Sequence, residues 1–148
     1  MFIATVDVDD IVLGVSEADR GWWNWQVYLD TWSIVDDAPE TPVEELPLYR
    51  AMKRHYARID DGWLKRDLKI LGLREGDRES VARGWTRRHV QLYLKIRAEG
   101  FDPSRSKMLT GWLRRDGKVR LRDGHHRVSM LKHLGMPRKV KVKLLGRR

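Results

Sequence analysis

The sequence predicts an α+β fold, several helices followed by a hairpin, a helix and a strand, and three observations carry that expectation. Between Leu48 and Glu99 apolar residues recur at helical spacing, whereas after Pro103 they alternate with polar ones. Within the alternating part, Arg114-Arg115-Asp116-Gly117 interrupts two short apolar runs with an Asp-Gly pair, a strong hairpin-turn signal. Beyond that hairpin, Val128, Leu131 and Leu134 return to helical spacing before Lys139 to Leu145 alternates again.

Taken in order, Phe2 to Val15 is rich in Ile and Val, is broken by Asp9-Asp10 and ends near Gly14, which reads as one strand or a hairpin. Gly21 to Trp32 follows, with Trp22, Trp23, Trp25 and Trp32, four of the seven tryptophans, and Tyr28. Such rings stack on bases, anchor a core or form a contact surface. With no basic residue interleaved after Arg20, the core or interface reading is preferred. Asp36 to Pro42 holds two prolines and three acids and reads as a linker.

Pro47 suits a first helical turn behind Glu44 and Glu45, and Leu48, Met52, Tyr56 and Ile59 then share one face. Leu64, Leu68 and Leu71 form a second amphipathic set that ends before Gly72. Arg74 to Gly84, charged and with two glycines, reads as a loop or short helix. Arg87 to Glu99 reads as a third helix, with Val90, Tyr93, Leu94 and Ile96 over a broad arc, stopped by Gly100 and Pro103. Lys107 to Leu113 and Lys118 to Leu121 are the hairpin strands. The last strand puts Val140, Val142 and Leu144 on one face and Lys139, Lys141 and Lys143 on the other. Lysines so placed either guard an edge strand or hold a polyanion.

Composition sets limits. The 148 residues, 41% of them hydrophobic, suffice for a core without disulfides or metals. With no cysteine there is no disulfide, no thiolate catalysis and no cysteine-ligated zinc, which suits a reducing compartment and leads us to expect a cytoplasmic protein. Residues 1–15 carry three aspartates and no basic residue, unlike a signal peptide, and no apolar run reaches membrane-spanning length. The net charge of +9 is unevenly spread: residues 1–47 hold one basic residue, Arg20, against eleven acidic ones, and residues 48–148 hold 29 against 10. We therefore expect an acidic, Trp-rich arm over residues 1–42, packed on a basic domain over 43–148 with affinity for polyanions.

The most informative stretch is Asp123-Gly124-His125-His126-Arg127, between the second hairpin strand and the next helix. The first-turn N–H groups of a helix point outward and its dipole favours negative charge, so a glycine and three donor side chains at that point predict an anion site, with phosphate the expected anion. Asp123 also suits a helix cap. His125 and His126 diverge around a helix, and no cysteine or nearby acid completes a ligand set, so no protein-held metal is expected. His55, His89 and His133 stand alone at helical positions and read as structural or solvated.

Asp116 to Arg127, then Leu131 to Pro137 and Val140 to Val142, resemble the ParB/sulfiredoxin superfamily over about 40 residues. A looser likeness, through Tyr93 to Gly100 and Leu46 to Arg50, is to stand-alone ParB-like domains. The resemblance implies a small mixed sheet with a C-terminal hairpin, helix and strand unit, packed with the preceding helices. In sulfiredoxins the corresponding loop reads Gly-Cys-His-Arg, with a cysteine where His125 stands, so sulfiredoxin chemistry is not expected while the phosphate-holding pair survives as His126 and Arg127. In partitioning ParB proteins the loop resembles Gly-Glu-Arg-Arg and helps to bind CTP. Their helix-turn-helix region lies beyond this domain, and here the sequence ends three residues after Leu145. The loop is most similar to the Asp-Gly-His-x-Arg of ADP-dependent free-serine kinases.

That likeness implies nucleotide hydrolysis or phosphoryl transfer, with ATP, ADP or CTP and Mg²⁺ as cofactors. Arg127 would grip phosphate oxygens, Gly124 and His126 would donate backbone N–H groups, and Asp123 and His125 would be the catalytic pair. Asp123 would orient a hydroxyl or water, or meet the nucleotide's Mg²⁺ through water, and His125 would move a proton. Those kinases use a further glutamate upstream, for which Glu45 and Glu99 are the candidates. Two other classes stay open. One is a DNA- or RNA-binding or nuclease-like module using Arg120, Arg122, Lys139, Lys141 and Lys143. The other is a non-catalytic assembly protein that meets a partner or a second copy through Trp22, Trp23 and Trp25.

Overall fold

The computed structural model describes residues 2–13, 24–74, 76–103 and 107–147. Among them are five α-helices and a five-stranded mixed sheet. The chain divides into two compact units, residues 1–18 with 93–148, and residues 19–92. Trp22 and Trp23 lie outside the described residues.

The first unit holds the sheet. Its strands are β1 (Phe2–Asp7), β2 (Ile11–Val12), β3 (Leu109–Leu113), β4 (Val119–Asp123) and β5 (Lys139–Arg147), in the order β1-β5-β3-β4-β2. The expected hairpin is present: β3 and β4 are antiparallel, with Gly117 at φ +84°, a left-handed conformation suited to glycine, in the turn. The N-terminal Ile/Val segment is neither one strand nor a hairpin. A 3-10 turn at Val8–Asp10 splits it, after which β1 pairs with β5 and β2 with β4, so its two halves occupy opposite edges of the sheet. The helix α5 (His125–Leu134) connects β4 to β5 and buries Val128, Met130 and Leu131. Val140, Val142 and Leu144 are buried on the alternating face of β5, and Leu109, Val119, Leu121, Tyr93 and Ile96 join that core. Each such side chain stabilises the fold by about 1.5–3 kcal/mol. The Lys132 ammonium donates to the Val8 carbonyl at 2.9 Å, which ties α5 to the 3-10 turn.

The lysine row of β5 does not guard an edge. Strand β5 lies between β1 and β3, because the N-terminal residues pair with it over a separation of more than a hundred residues, a pairing local alternation cannot reveal.

The second unit is helical: α1 (Trp25–Asp37), α2 (Pro47–Tyr56), α3 (Asp61–Ile70) and the start of α4 (Arg78–Glu99), which runs on into residues of the first unit. Helix α1 falls where a Trp-rich stretch and a linker were expected. Asn24 caps it by accepting from the Gln26 N–H at 2.8 Å, Tyr28 and Trp32 are fully buried on one face, and the helix runs through Asp36 and Asp37. Trp32 is therefore a core residue. The stretch expected as a loop or short helix is helical from Arg78, where α4 starts ahead of the expected Arg87 and behind Asp77, which accepts from the Ser80 N–H at 2.7 Å. Pro47 opens α2 without a side-chain cap, and the Thr31 hydroxyl of α1 satisfies the Leu48 N–H instead at 3.0 Å.

The apolar set of α3 is only half-buried, and its buried residue is Asp67, whose carboxylate accepts from the Tyr56 hydroxyl at 2.7 Å. A buried carboxylate deprived of its donor is costly. Tyr56→Phe is therefore expected to lower stability by about 1–3 kcal/mol in urea unfolding, with no change in helix content by circular dichroism.

Candidate functional site

The predicted loop sits where β4 gives way to α5. Asp123 is the last residue of β4, opposite Thr110 of β3, and the chain turns at Gly124 with φ +102° and ψ 20°. This left-handed glycine is itself the cap of α5 and makes no side-chain capping bond, so Asp123 is not the cap that its position suggested. The helical ladder starts with the Val128 N–H on the Gly124 carbonyl at 3.0 Å, and the N–H groups of the first turn lie ahead of it at the N-terminal end of the helix.

Gly124 is required for space as well as for its backbone angles. A Cβ there would lie 2.2 Å from Leu109 Cδ2 and 3.2 Å from Arg127 Nη2. The Arg127 guanidinium thus folds back over the glycine, half-buried, and donates through Nη1 to the Lys107 carbonyl. Burial lowers its pKa from the ordinary value while the Asp123 carboxylate opposes that shift. An arginine stays charged under such conditions, so the loop holds a fixed, partly desolvated positive group.

Lys107, expected only as the start of a hairpin strand and in fact lying just before β3, completes the cluster. Its ammonium lies 3.2 Å from Asp123 Oδ2, and its carbonyl receives Arg127. The Thr110–Asp123 register brings the residues just before β3 alongside the end of β4, so the hairpin pattern held a signal for Lys107 once the pairing was specified. The ion pair is exposed and worth at most about 1 kcal/mol, so Lys107 can exchange it for another anion.

The two histidines sit in different surroundings. His125 is buried at 6% exposure, and burial lowers its pKa to about 4, opposed by the Asp123 carboxylate. It is uncharged at neutral pH. His126 is half-buried, and its carbonyl accepts from the Ser129 hydroxyl at 2.6 Å, which secures the first turn. Arg127 and Lys107 are the permanently charged cations of the loop. Elsewhere, His89 is buried and donates through Nδ1 to the Trp85 carbonyl at 2.6 Å, and the His55 and His133 rings lie against Tyr56 and Tyr93. Glu99 is the exposed last residue of α4, and Glu45, also exposed, belongs to the helical unit.

Asp123 and Arg127 are thus brought together with Lys107, whereas Arg120, Arg122, Lys139, Lys141 and Lys143 alternate with the buried residues of their strands and are not part of this cluster. In β4 Val119 and Leu121 are buried and Arg122 exposed; in β5 Lys139 and Lys141 are exposed. Among the described residues no group of three or more His, Asp or Glu could hold a metal ion, and no helix is long and apolar enough to cross a membrane. Comparison with protein-family models, with curated proteins and with solved structures finds no match.

Proposed function

We propose that this protein is a ParB/sulfiredoxin-like nucleotide-binding protein that holds phosphates at the Asp123 to Arg127 loop and hydrolyses the nucleotide or transfers its terminal phosphoryl group. The observation that carries this reading is the half-buried Arg127 guanidinium folded over a left-handed Gly124 at the start of α5. A preorganised forked cation beside first-turn N–H groups matches the geometry and charge of a phosphate. The order β3, β4, α5, β5 is the hairpin, helix and strand unit that the family likeness implies.

In this reading Lys107 exchanges the Asp123 carboxylate for a phosphate oxygen, which releases Asp123 to orient a hydroxyl or water or to meet the nucleotide's Mg²⁺ through water. Of the two groups expected to move protons, Asp123 is the more exposed, and His125 takes part as an uncharged imidazole beneath the loop. The sequence has no cysteine, so the thiol-based chemistry of the superfamily has no nucleophile here.

The test is a thermal-shift and calorimetric panel of ATP, ADP and CTP with and without Mg²⁺. At least one nucleotide is expected to stabilise the wild type, and Arg127→Gln, which keeps a polar side chain but removes the charge, is expected to weaken its binding about 10- to 100-fold. Unchanged affinity in a folded Arg127→Gln protein would overturn the assignment, as would the absence of binding to any nucleotide in the panel.

A further inference from the structure

We propose that the open edge of β1 joins two copies of this chain, the two β1 strands running antiparallel about a two-fold axis at Ala4. Strand β1 ends the sheet, and among the described residues it pairs with β5 alone. One bond fixes the direction of its unused backbone groups. The Val8 N–H donates to the Arg138 carbonyl at 2.7 Å, and the register continues from that pair through Val6 with Val140, Ala4 with Val142 and Phe2 with Leu144. Hydrogen-bonded and non-hydrogen-bonded pairs alternate along an antiparallel ladder. Phe2, Ala4 and Val6 therefore bond to β5, and the N–H and C=O groups of Ile3 and Thr5 point into the open edge.

Sheet edges are ordinarily blunted by brevity, bulges, lysine or proline. The opposite edge follows that rule, since β2 is two residues long. Strand β1 does not. Its Phe-Ile-Ala-Thr-Val run is uncharged and free of proline and glycine, its register with β5 is continuous, and Phe2 and Ile3 are 60% and 55% exposed. Phe2, Ala4 and Val6 lie opposite Leu144, Val142 and Val140, on the face of the sheet where those three residues are buried. Phe2 is thus a core-side ring that its own chain leaves uncovered.

The strand is complementary to itself. A two-fold axis normal to the sheet keeps the core faces of both copies on one side, which requires residues of like parity to face each other. With the axis at Ala4, Phe2 faces Val6 of the second copy, Ile3 faces Thr5, and Ala4 faces Ala4. Each Ile3–Thr5 pair then exchanges both of its outward backbone bonds. The small Ala4 pair leaves room at the axis for the Phe2 rings, and Asp7 stays beyond the paired segment, whereas an axis at Thr5 would set the Asp7 carboxylate against Ile3. Charge does not oppose the pairing. Lys139, Lys141 and Lys143 of β5 would lie three strand spacings from those of the second copy, about 14 Å, beyond the Debye length of about 8 Å at physiological salt. The assembly also closes, because the edges left over are the short β2 strands.

Sedimentation equilibrium of the full chain over about 1–300 µM is expected to show monomer and dimer with a Kd of about 1–100 µM, because a strip this short buries less than the roughly 800 Å² per partner of a standard interface. Ile3→Lys, which puts a charge on an exposed edge position, is expected to raise that Kd more than tenfold. Thr5→Pro, which removes an outward N–H and leaves the β5 bonds in place, should do the same, and a circular dichroism spectrum like that of the wild type shows that the fold is kept. The sequence has no cysteine, so single-cysteine variants report the register. Ala4→Cys is expected to give a disulfide-linked dimer under mild oxidation, since a non-hydrogen-bonded pair at the axis has its Cα atoms about 4.5 Å apart, within disulfide reach. Self-pairing through β1 uses neither Lys107 nor the Asp123 to Arg127 loop, so either proposal can fail without the other. The dimer is overturned if the chain is monomeric over the whole concentration range, if Ile3→Lys associates as the wild type does, or if Thr5→Cys links copies as readily as Ala4→Cys.

Discussion

Gly124→Ala is expected to destabilise the protein by about 3 kcal/mol, seen as a lower urea midpoint with an unchanged slope. Two costs combine. A side chain at φ +102° is strained by about 1–3 kcal/mol, and the new methyl would meet Leu109 Cδ2 at 2.2 Å. Leu109 is 2% exposed within β3, so it has no solvent-side rotamer to adopt. Gly117 is the internal control. It has a positive φ of +84° and nothing within 4 Å of the place a methyl would occupy, so Gly117→Ala carries the backbone strain alone. An equal loss in the two variants would show that the Leu109 contact relaxes freely and that the loop is less tightly built than its geometry implies. Because Arg127 lies over the same glycine, Gly124→Ala should also weaken nucleotide binding in the panel described above.

Acidification between pH 7 and 5 is expected to destabilise both units through His125 and His89. Burial lowers each imidazole to a pKa of about 4, opposed by Asp123 for His125 and by the bond to the Trp85 carbonyl for His89, where Arg88 adds to the lowering. The unfolded chain titrates near the ordinary value of about 6.5. Between these values the unfolded state binds more protons, so stability rises with pH. The contribution is complete above about 6.5, falls as the pH drops through that window, and is exhausted below about 4. Each ring accounts for up to about 3 kcal/mol over the full window. Urea midpoints measured at pH 7, 6 and 5 should converge in His125→Gln and His89→Gln variants relative to the wild type. A double variant whose midpoint still falls as steeply would assign the acid sensitivity to other groups.

The parts of this fold that local pattern controls were legible in the sequence. The Asp116-Gly117 turn, the alternation of Val140, Val142 and Leu144, and the Pro47 start of α2 all depend on residues a few positions apart, and each appears where expected. Helix α1 was hidden because aromatic side chains are poor helix formers and its amphipathic signal was carried by Tyr28, Trp32 and Val35 beside three aspartates. The interior position of β5 was hidden for another reason: it depends on pairing with residues 2–7. At the site, the backbone turn and the helix start were readable from Gly124, but the charge was not. Burial neutralises His125, and Lys107 reaches Asp123 only through the β3–β4 register.

The split of the N-terminal segment between the two sheet edges also constrains the order of folding. Phe2 pairs with Leu144 and Ile11 with Val119, so neither half can dock until nearly the whole chain is available, whereas the helices of residues 24–92 gather contacts close in sequence. Closing so long a loop costs entropy before any ladder bond is returned. During synthesis the helical unit can therefore condense while residues 2–13 wait, and the sheet is sealed last, when β5 emerges to receive β1.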